Sequence, residues 1–575
     1  MSHHFLIPRV LDPGEEVYYP VTLSSYFDEA SFYAHRAHAA YLGQWWVGDV
    51  HTAEYQGGPA LMPMLNPLIL GGLGRVLGSF ERGLIASDFL FPAVIFLLVY
   101  AMVFECVSRR LPSLLFASLF LFVPKLGIAL PPVSWAHIKE ILSALVPYHY
   151  GETTLFFTHF EEPKITFVFF ALAVWLVIRA LKHPMRFNLI SAGISFGLLF
   201  YTYLYDWMSF ASALILLIAW YAARRDSQGV KRAAAILVIG GAVSIPYGIN
   251  LFMVYQLPHA SDLVERAGRE ISRAFRFLPV WKSYLRIVVL VPLLGFFALR
   301  QDTERVRKLA FSGALILSYV MVLNIQVITG FNVQPDHWYR VQFLPIGLSV
   351  FLLALAAYDG VLRGRAHLIG RWITVGFLVY FFIGQAYHQY TISSDPAYAK
   401  SFVMPRQRKE AYQWLSDHTP KGSVVAALSP ETNRELPLHT HNKIYVPHGL
   451  LTLAPDEEIW ERFFFVNALY GVKPAEFHKR LEKGDTAYYL FEARYDSKEF
   501  NSAFRGSAWQ FPPSVIDEKT RLFEAYKASG TIVPGFRIDY AYADERDGMY
   551  GSFLDPVSWL EKVYERDGVL IYRIK

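Results

Sequence analysis

Long apolar runs recur from residue 84 to residue 390, and they constrain this chain's fold more than any other feature. We read about ten of them as membrane spans: 84–106, 111–130, 164–182, 188–204, 207–223, 233–254, 285–299, 308–327, 342–359 and 371–390. Hydrocarbon offers a peptide group no partner, so each run must satisfy its own backbone and is expected to be helical. Several fall short of the roughly 20 residues that a straight span needs, so their edges are soft. The charge content agrees. Only 18% of the residues are charged, where a soluble chain carries about a quarter. The expected fold is an α-helical polytopic membrane bundle of about 10–11 spans with an extracytoplasmic C-terminal α/β domain.

Basic residues set the orientation. Arg109-Arg110, Lys182 to Arg186, Arg224 to Arg232, Arg300 to Lys308 and Arg363 to Arg371 occupy alternate turns. The positive-inside rule places them in the cytoplasm. Residues 131–163, 255–284, 328–341 and everything after 390 then lie outside. The expected location is the plasma membrane, crossed many times. The single cysteine, Cys106, rules out an intrachain disulfide and a cysteine-built zinc site. No nucleic-acid partner is expected.

The amino terminus is the odd part. If span 84–106 runs inward, residues 1–80 lie outside, yet residues 1–20 contain neither a signal peptide nor a span. A missing first helix is the favoured expectation. The segment Met62 to Gly78 is apolar, but it carries Pro63, Asn66, Pro67, four glycines and Arg75. It suits a helix lying in the interface better than one crossing it.

Three parts are expected. Residues 1–83 form a first outer segment rich in aromatics, Gly and Pro, residues 84–390 the bundle, and residues 391–575 the outer α/β domain. In that domain Arg406 to His418, Asp456 to Leu469 and Pro474 to Lys483 read as helices. Ser423 to Leu428, Lys443 to Val446, Thr486 to Phe491, Arg537 to Ala541 and Val569 to Arg573 read as strands, and Pro556 to Arg566 as a helix.

Polar chemistry gathers in the outer segments. The most pointed stretch is Tyr26-Phe27-Asp28-Glu29-Ala30-Ser31-Phe32-Tyr33, two adjacent carboxylates among aromatics. Such a pair can simply cap a helix. Other outer groups are Asp49, His51, Glu54, Glu152, His159, Glu161, Glu162, Lys164, His259, Glu265, Arg266, Arg269, Asp336, His337 and Arg340. A transporter would instead bury ionisable residues at mid-membrane depth. Asp206, at an outer turn, is the clearest candidate inside a span.

The Tyr26–Tyr33 segment resembles the Asp-Glu motif in the first outer loop of GT-C integral-membrane glycosyltransferases, the dolichyl-phosphate-mannose–protein mannosyltransferase and RgtA-B-C-D-like superfamily. The resemblance extends through Gly57-Gly58-Pro59-Ala60-Leu61-Met62-Pro63, His159-Phe160-Glu161-Glu162-Pro163-Lys164, the Phe200–Tyr205 hairpin and Gly330–Trp338. It implies a GT-C-like bundle, a polyprenyl-phosphate sugar donor, a glycan, lipid or protein acceptor, and catalysis by the acidic pair. The chemistry is self-consistent. A polyprenyl phosphate leaves as a stabilised anion, so one carboxylate suffices as general base, with cations to hold the phosphate. Asp28 is the expected base, with Glu29 beside it. Arg340, His337, Arg266 and Arg269 are the phosphate candidates. Glu161, Glu162 and Asp336 are acceptor or metal candidates, and a divalent cation, Mg²⁺ or Mn²⁺, stays open. The rival classes are a transporter or flippase of lipid-linked saccharide and a non-catalytic assembly protein.

Overall fold

The protein is described by a computed structural model. It describes residues 3–9, 11–12, 14–21, 29–123, 135–136, 138–139, 156–275, 303–334, 338, 344–349, 352, 365–495, 509–530 and 533–575. The expected span 285–299 and more than half of 342–359 lie outside them. Two compact units are present.

The first unit comprises Met1–Leu6, Ile85–Gly248 and Ile271–Tyr398. Among the described residues, two helices are long and apolar enough to cross a membrane, Phe80–Val107 and Leu204–Ala223. A third span results if Ser227–Val243 and Ile245–Tyr255, bent by 52°, count as one. Pro246 accounts for the break, because it removes a backbone donor and crowds the preceding turn. Shorter helices, Arg110–Phe122, Thr166–Lys182 and Arg186–Leu198, fall within other expected spans. Phe170, Val174 and Val177 of Thr166–Lys182 meet Phe196, Phe210, Leu214 and Phe311 in one buried apolar cluster. Two ion pairs clamp Phe80–Val107 to Thr166–Lys182. Lys164 binds Asp88 near their N-terminal ends at 2.7 Å, and Lys182 binds Glu105 at their C-terminal ends at 2.5 Å. The two helices therefore run parallel.

The second unit joins Ile7–Leu84 and Ile249–Glu270 to Ala399–Lys575. Strand β1 (Glu16–Tyr18) pairs antiparallel with β2 (Val403–Pro405). Strands β3 (Val424–Ala427), β4 (Lys443–Ile444), β5 (Tyr540–Ala543), β6 (Leu560–Arg566) and β7 (Val569–Ile574) form one sheet in the order β4-β3-β5-β7-β6. Its β4-β3-β5 side is parallel and its β5-β7-β6 side antiparallel. Among the helices are α1 (Glu29–Tyr41), α2 (Leu65–Leu77), α3 (Arg406–His418), α4 (Pro430–His439) and α5 (Asp456–Leu469). Met62 to Gly78 thus holds a helix.

Two expectations in this unit are overturned. Thr486 to Phe491 is not a strand but part of helix Gly484–Phe491. Its Tyr489, Leu490 and Phe491 are buried in an apolar cluster with Trp460, which overrides their β-propensity. Pro556 to Arg566 is not a helix, because Leu560–Arg566 is strand β6. Asp567 and Gly568, with φ of 48° and 80°, turn it into β7, as the mirror-image two-residue hairpin turn requires. The strand expected over Arg537 to Ala541 is Tyr540–Ala543.

Gly71 sets how closely α2 approaches α1. A Cβ there would lie 2.6 Å from the Tyr41 amide nitrogen and 2.7 Å from the Ala37 carbonyl. A Gly71→Val variant must push the helices apart, and we expect a loss of about 1–3 kcal/mol in denaturant unfolding. An unchanged midpoint would mean that the contact is not needed.

Candidate functional site

Asp28, Asp336, His337 and Arg340 lie outside the described residues, as does the side chain of Glu29. What the structure describes is the helix that the acidic pair opens and the surroundings that hold it.

Helix α1 starts at Glu29 and is gripped on several sides. Arg36 is buried and donates to the carbonyls of Met62 and Pro63 ahead of α2. His35 Nε2 bonds the Arg434 carbonyl, and His38 Nδ1 bonds the Pro437 carbonyl at 2.9 Å. Both acceptors belong to α4, a helix capped by the Ser429 hydroxyl and opened by Pro430. The Pro437 carbonyl sits in the last turn, where helix carbonyls lack an internal partner.

Beyond α1 the chain returns through Asp49, one buried carboxylate that takes four donors. Oδ1 accepts from the amides of His51 and Thr52, both at 2.9 Å. Oδ2 accepts from the Thr452 hydroxyl at 2.7 Å and the Leu453 amide at 2.9 Å. Lys443 donates to the Val50 carbonyl at 2.9 Å. His51 is then in place to bond His35, Nε2 to Nδ1 at 2.9 Å, while its own Nδ1 accepts from the His448 amide at 3.2 Å. Burial holds His35 and His448 well below the ordinary histidine range and lowers His51 to about 3, so all three rings are neutral.

Arg266 is fully buried, with its guanidinium on Asp456 at 3.2 Å and on the Thr452 carbonyl. Burial pushes Asp456 up to about 6, even though Arg266 and Arg494 beside it both pull the other way. Arg266 is thereby engaged with protein partners. Arg269 is half-buried in strand Arg269–Ile271.

The first unit holds a second polar cluster. Asp88, inside the expected span 84–106, accepts from Lys164 at 2.7 Å and from His4 Nε2 at 2.9 Å. Lys164 also donates to Ser87 at 2.9 Å. Glu161 is buried and directly precedes Glu162, whose bond to Pro163 is cis. His3, His4 and Asp88 offer ligand atoms within 4.8 Å of one another, but the Lys164 ammonium already supplies the positive charge that a metal would bring. Lys164→Met leaves Asp88 without its strongest counter-charge, and we expect about 3–5 kcal/mol of destabilisation in detergent unfolding. Adding Asp88→Asn should restore most of it, and equal losses in the single and double variants would contradict the pairing.

Sequence reasoning passed over Asp88, although an acid inside an apolar run is by itself a functional or packing signal. It also passed over His35, His38 and His448. Their partners lie about 400 positions away or on backbone carbonyls, with |i−j| of 399 for both His35–Arg434 and His38–Pro437, and no spacing rule reaches that far.

No known family matches the chain, and no curated protein matches it. Among solved structures it is similar to ArnT from Cupriavidus metallidurans bound to undecaprenyl phosphate. The TM-score is 0.44 at 10% identity, over 94% of this chain and 92% of that one. It is also similar to the apo oligosaccharyltransferase of Archaeoglobus fulgidus, with a TM-score of 0.37 at 11% identity, over 95% of this chain and 70% of that one. Neither likeness is close enough to assign a residue's role.

Proposed function

We propose that this chain is a GT-C-type membrane glycosyltransferase that moves a sugar from a polyprenyl-phosphate carrier to an extracytoplasmic acceptor. Asp28 takes the proton from the acceptor hydroxyl or amine. The acceptor atom then attacks the anomeric carbon, and the bond to the phosphate oxygen breaks, releasing polyprenyl phosphate as an anion. Glu29 is the neighbouring carboxylate. Arg269, Arg340 and His337 are the groups proposed to meet the phosphate, since Arg266 is engaged by Asp456. Glu161, Glu162 and Asp336 stay with the acceptor or a divalent ion, which restoration by Mg²⁺ or Mn²⁺ after EDTA treatment would reveal.

The supporting observation is how firmly α1 is held. Two histidine-to-carbonyl bonds, a buried arginine and a backbone-to-backbone contact at Gly71 fix a helix whose first residue belongs to the acidic pair. A carboxylate that only caps a helix needs no such fixing, whereas a general base must be placed within hydrogen-bond reach of its proton.

The test is incubation of the purified protein with labelled polyprenyl-phosphate sugars and membrane extract. Label moving to an acceptor supports the reading, and labelled donor that only changes leaflet in vesicles would establish transport instead. The transport reading draws on the break between Ser227–Val243 and Ile245–Tyr255, because transporters build sites at broken helices. Orientation has its own check. A reporter active only in the cytoplasm, fused after Lys575, should be silent, and a strong signal would remove the outer acceptor from the proposal.

A further inference from the structure

The four bonded groups His448, His51, His35 and Arg434 form a relay in which every proton position is dictated. The His448 amide donates to His51 Nδ1, so that nitrogen carries no proton. The neutral His51 ring then carries its proton on Nε2 and donates to His35 Nδ1. His35 in turn carries its proton on Nε2 and donates to the Arg434 carbonyl. No second arrangement of the same atoms satisfies all three bonds. An extra proton on His35 would meet the His51 donor head-on, and one on His51 would meet the His448 amide. The relay therefore exists only with both rings neutral, and it joins the turn after β4 to the turn at His51, then α1, then α4.

We propose that this relay is the positioning device for the Asp28-Glu29 pair, so that the C-terminal domain serves the reaction by aiming α1. The inference rests on the glycosyltransferase reading for its catalytic half only. His35 and His51 are positioning residues, acting through the helix that follows the pair. The charged and titratable groups facing them are few. Lys443 and Asp49 lie beside His51. Arg434 and His38 face His35, and His439 interacts with both His35 and His38. Glu492 lies 3.7 Å from His448, which also feels Arg434 and Arg266. The lysine and arginines oppose a further positive charge here, so nothing but acid outside can supply it. A loosened α1 would displace Asp28, and a misplacement of about 1 Å at a catalytic group costs on the order of 10²-fold.

The experiment compares the full-length parent, His35→Leu and His35→Gln. Leu removes both ring bonds, whereas Gln keeps a side-chain amide that can donate to the Arg434 carbonyl. Hydrogen exchange of the α1 and sheet amides is measured alongside turnover with a labelled polyprenyl-phosphate sugar. We expect His35→Leu to lose protection in α1 but not in β3 and β5. Its kcat should fall by on the order of 10-fold or more with KM for the donor within two-fold, and His35→Gln should recover most of both. The proposal fails if α1 protection is unchanged in His35→Leu, or if protection is lost while kcat stays at the parent's value. If His35→Leu does not fold, His35→Gln decides. Its acid limb in the pH–kcat profile should shift relative to the parent, and an unmoved limb overturns the positioning role. A parent inactive with every donor would overturn the glycosyltransferase reading, and with it the catalytic half of this proposal, while the exchange data still decide whether the relay holds α1.

Discussion

Asp28→Asn should lower sugar transfer by on the order of 10²–10⁴-fold, the span that a positioned general base contributes. The substitution keeps the side chain's volume and its place before α1 while removing both the charge and the proton acceptor. Folding and membrane insertion should be normal, because His35 and Arg36, further along α1, hold it to α4 and to the chain ahead of α2. Glu29→Gln should cost less, since neighbouring positions on a helix or strand point in different directions. Initial rates at saturating donor, for protein matched in detergent extraction and melting behaviour, decide the matter. Full activity in both variants would reduce the pair to a helix cap, and a dead Glu29→Gln with an active Asp28→Asn would reverse the two roles.

The second unit should be acid-labile. His35, His38, His51, His439 and His448 are lowered by desolvation, His51 to about 3. Each titrates near 6.5 when the chain unfolds, so below that value the unfolded state takes up protons that the folded state refuses. Their contribution is complete above about pH 6.5 and drains away as pH falls, by roughly 1.4 kcal/mol per unit for each ring. Two carboxyl groups oppose this. Burial raises Asp456 to about 6 and Asp547 to about 7, so the folded state binds their protons first and gains as pH falls towards 4. Five rings against two carboxyl groups leave the folded state losing stability as pH falls from about 5.5 towards about 4. Denaturant midpoints taken from pH 7.5 to 4.5 should show it, and His35→Gln should flatten the slope by about one proton. A flat profile, or a slope that His35→Gln leaves alone, would contradict the burial of neutral rings.

The fold could be read from the chain wherever one pattern dominated. The apolar runs marked Phe80–Val107 and Leu204–Ala223 within a few residues, because nothing else competes over that length. Helices α3 and α5 and strands β3 and β7 stand where helical periodicity and short β-branched runs placed them. The two overturned elements failed for different reasons. Helix Gly484–Phe491 is a tertiary override, in which burial against Trp460 outweighs the local preference of Tyr-Tyr-Leu-Phe. Strand β6 had a local signal, the Asp567-Gly568 turn, which outranks the helical reading of Leu560–Arg566. Helix α4 was equally announced by Ser429 and Pro430. The acidic pair drew notice by its composition. The histidines that hold its helix did not, because a ring bonded to a carbonyl 399 positions away leaves no trace in local sequence.

The second unit joins Ile7–Leu84 and Ile249–Glu270 to Ala399–Lys575, with most of the expected spans lying between its first and last segments in order. Synthesis therefore imposes a wait. When α1 and α2 emerge, the carbonyls that His35 and His38 bind belong to a helix some 400 positions from being made, as their separations of 399 residues record. At a ribosome's pace of about 5–20 residues per second, the early segment must spend on the order of twenty seconds or more without its partners, its apolar faces uncovered. Ribosome-bound chains halted before α4 should consequently be open to protease within residues 29–77. A chaperone that shelters them would be as much a part of this protein's biogenesis as the machinery that inserts its helices.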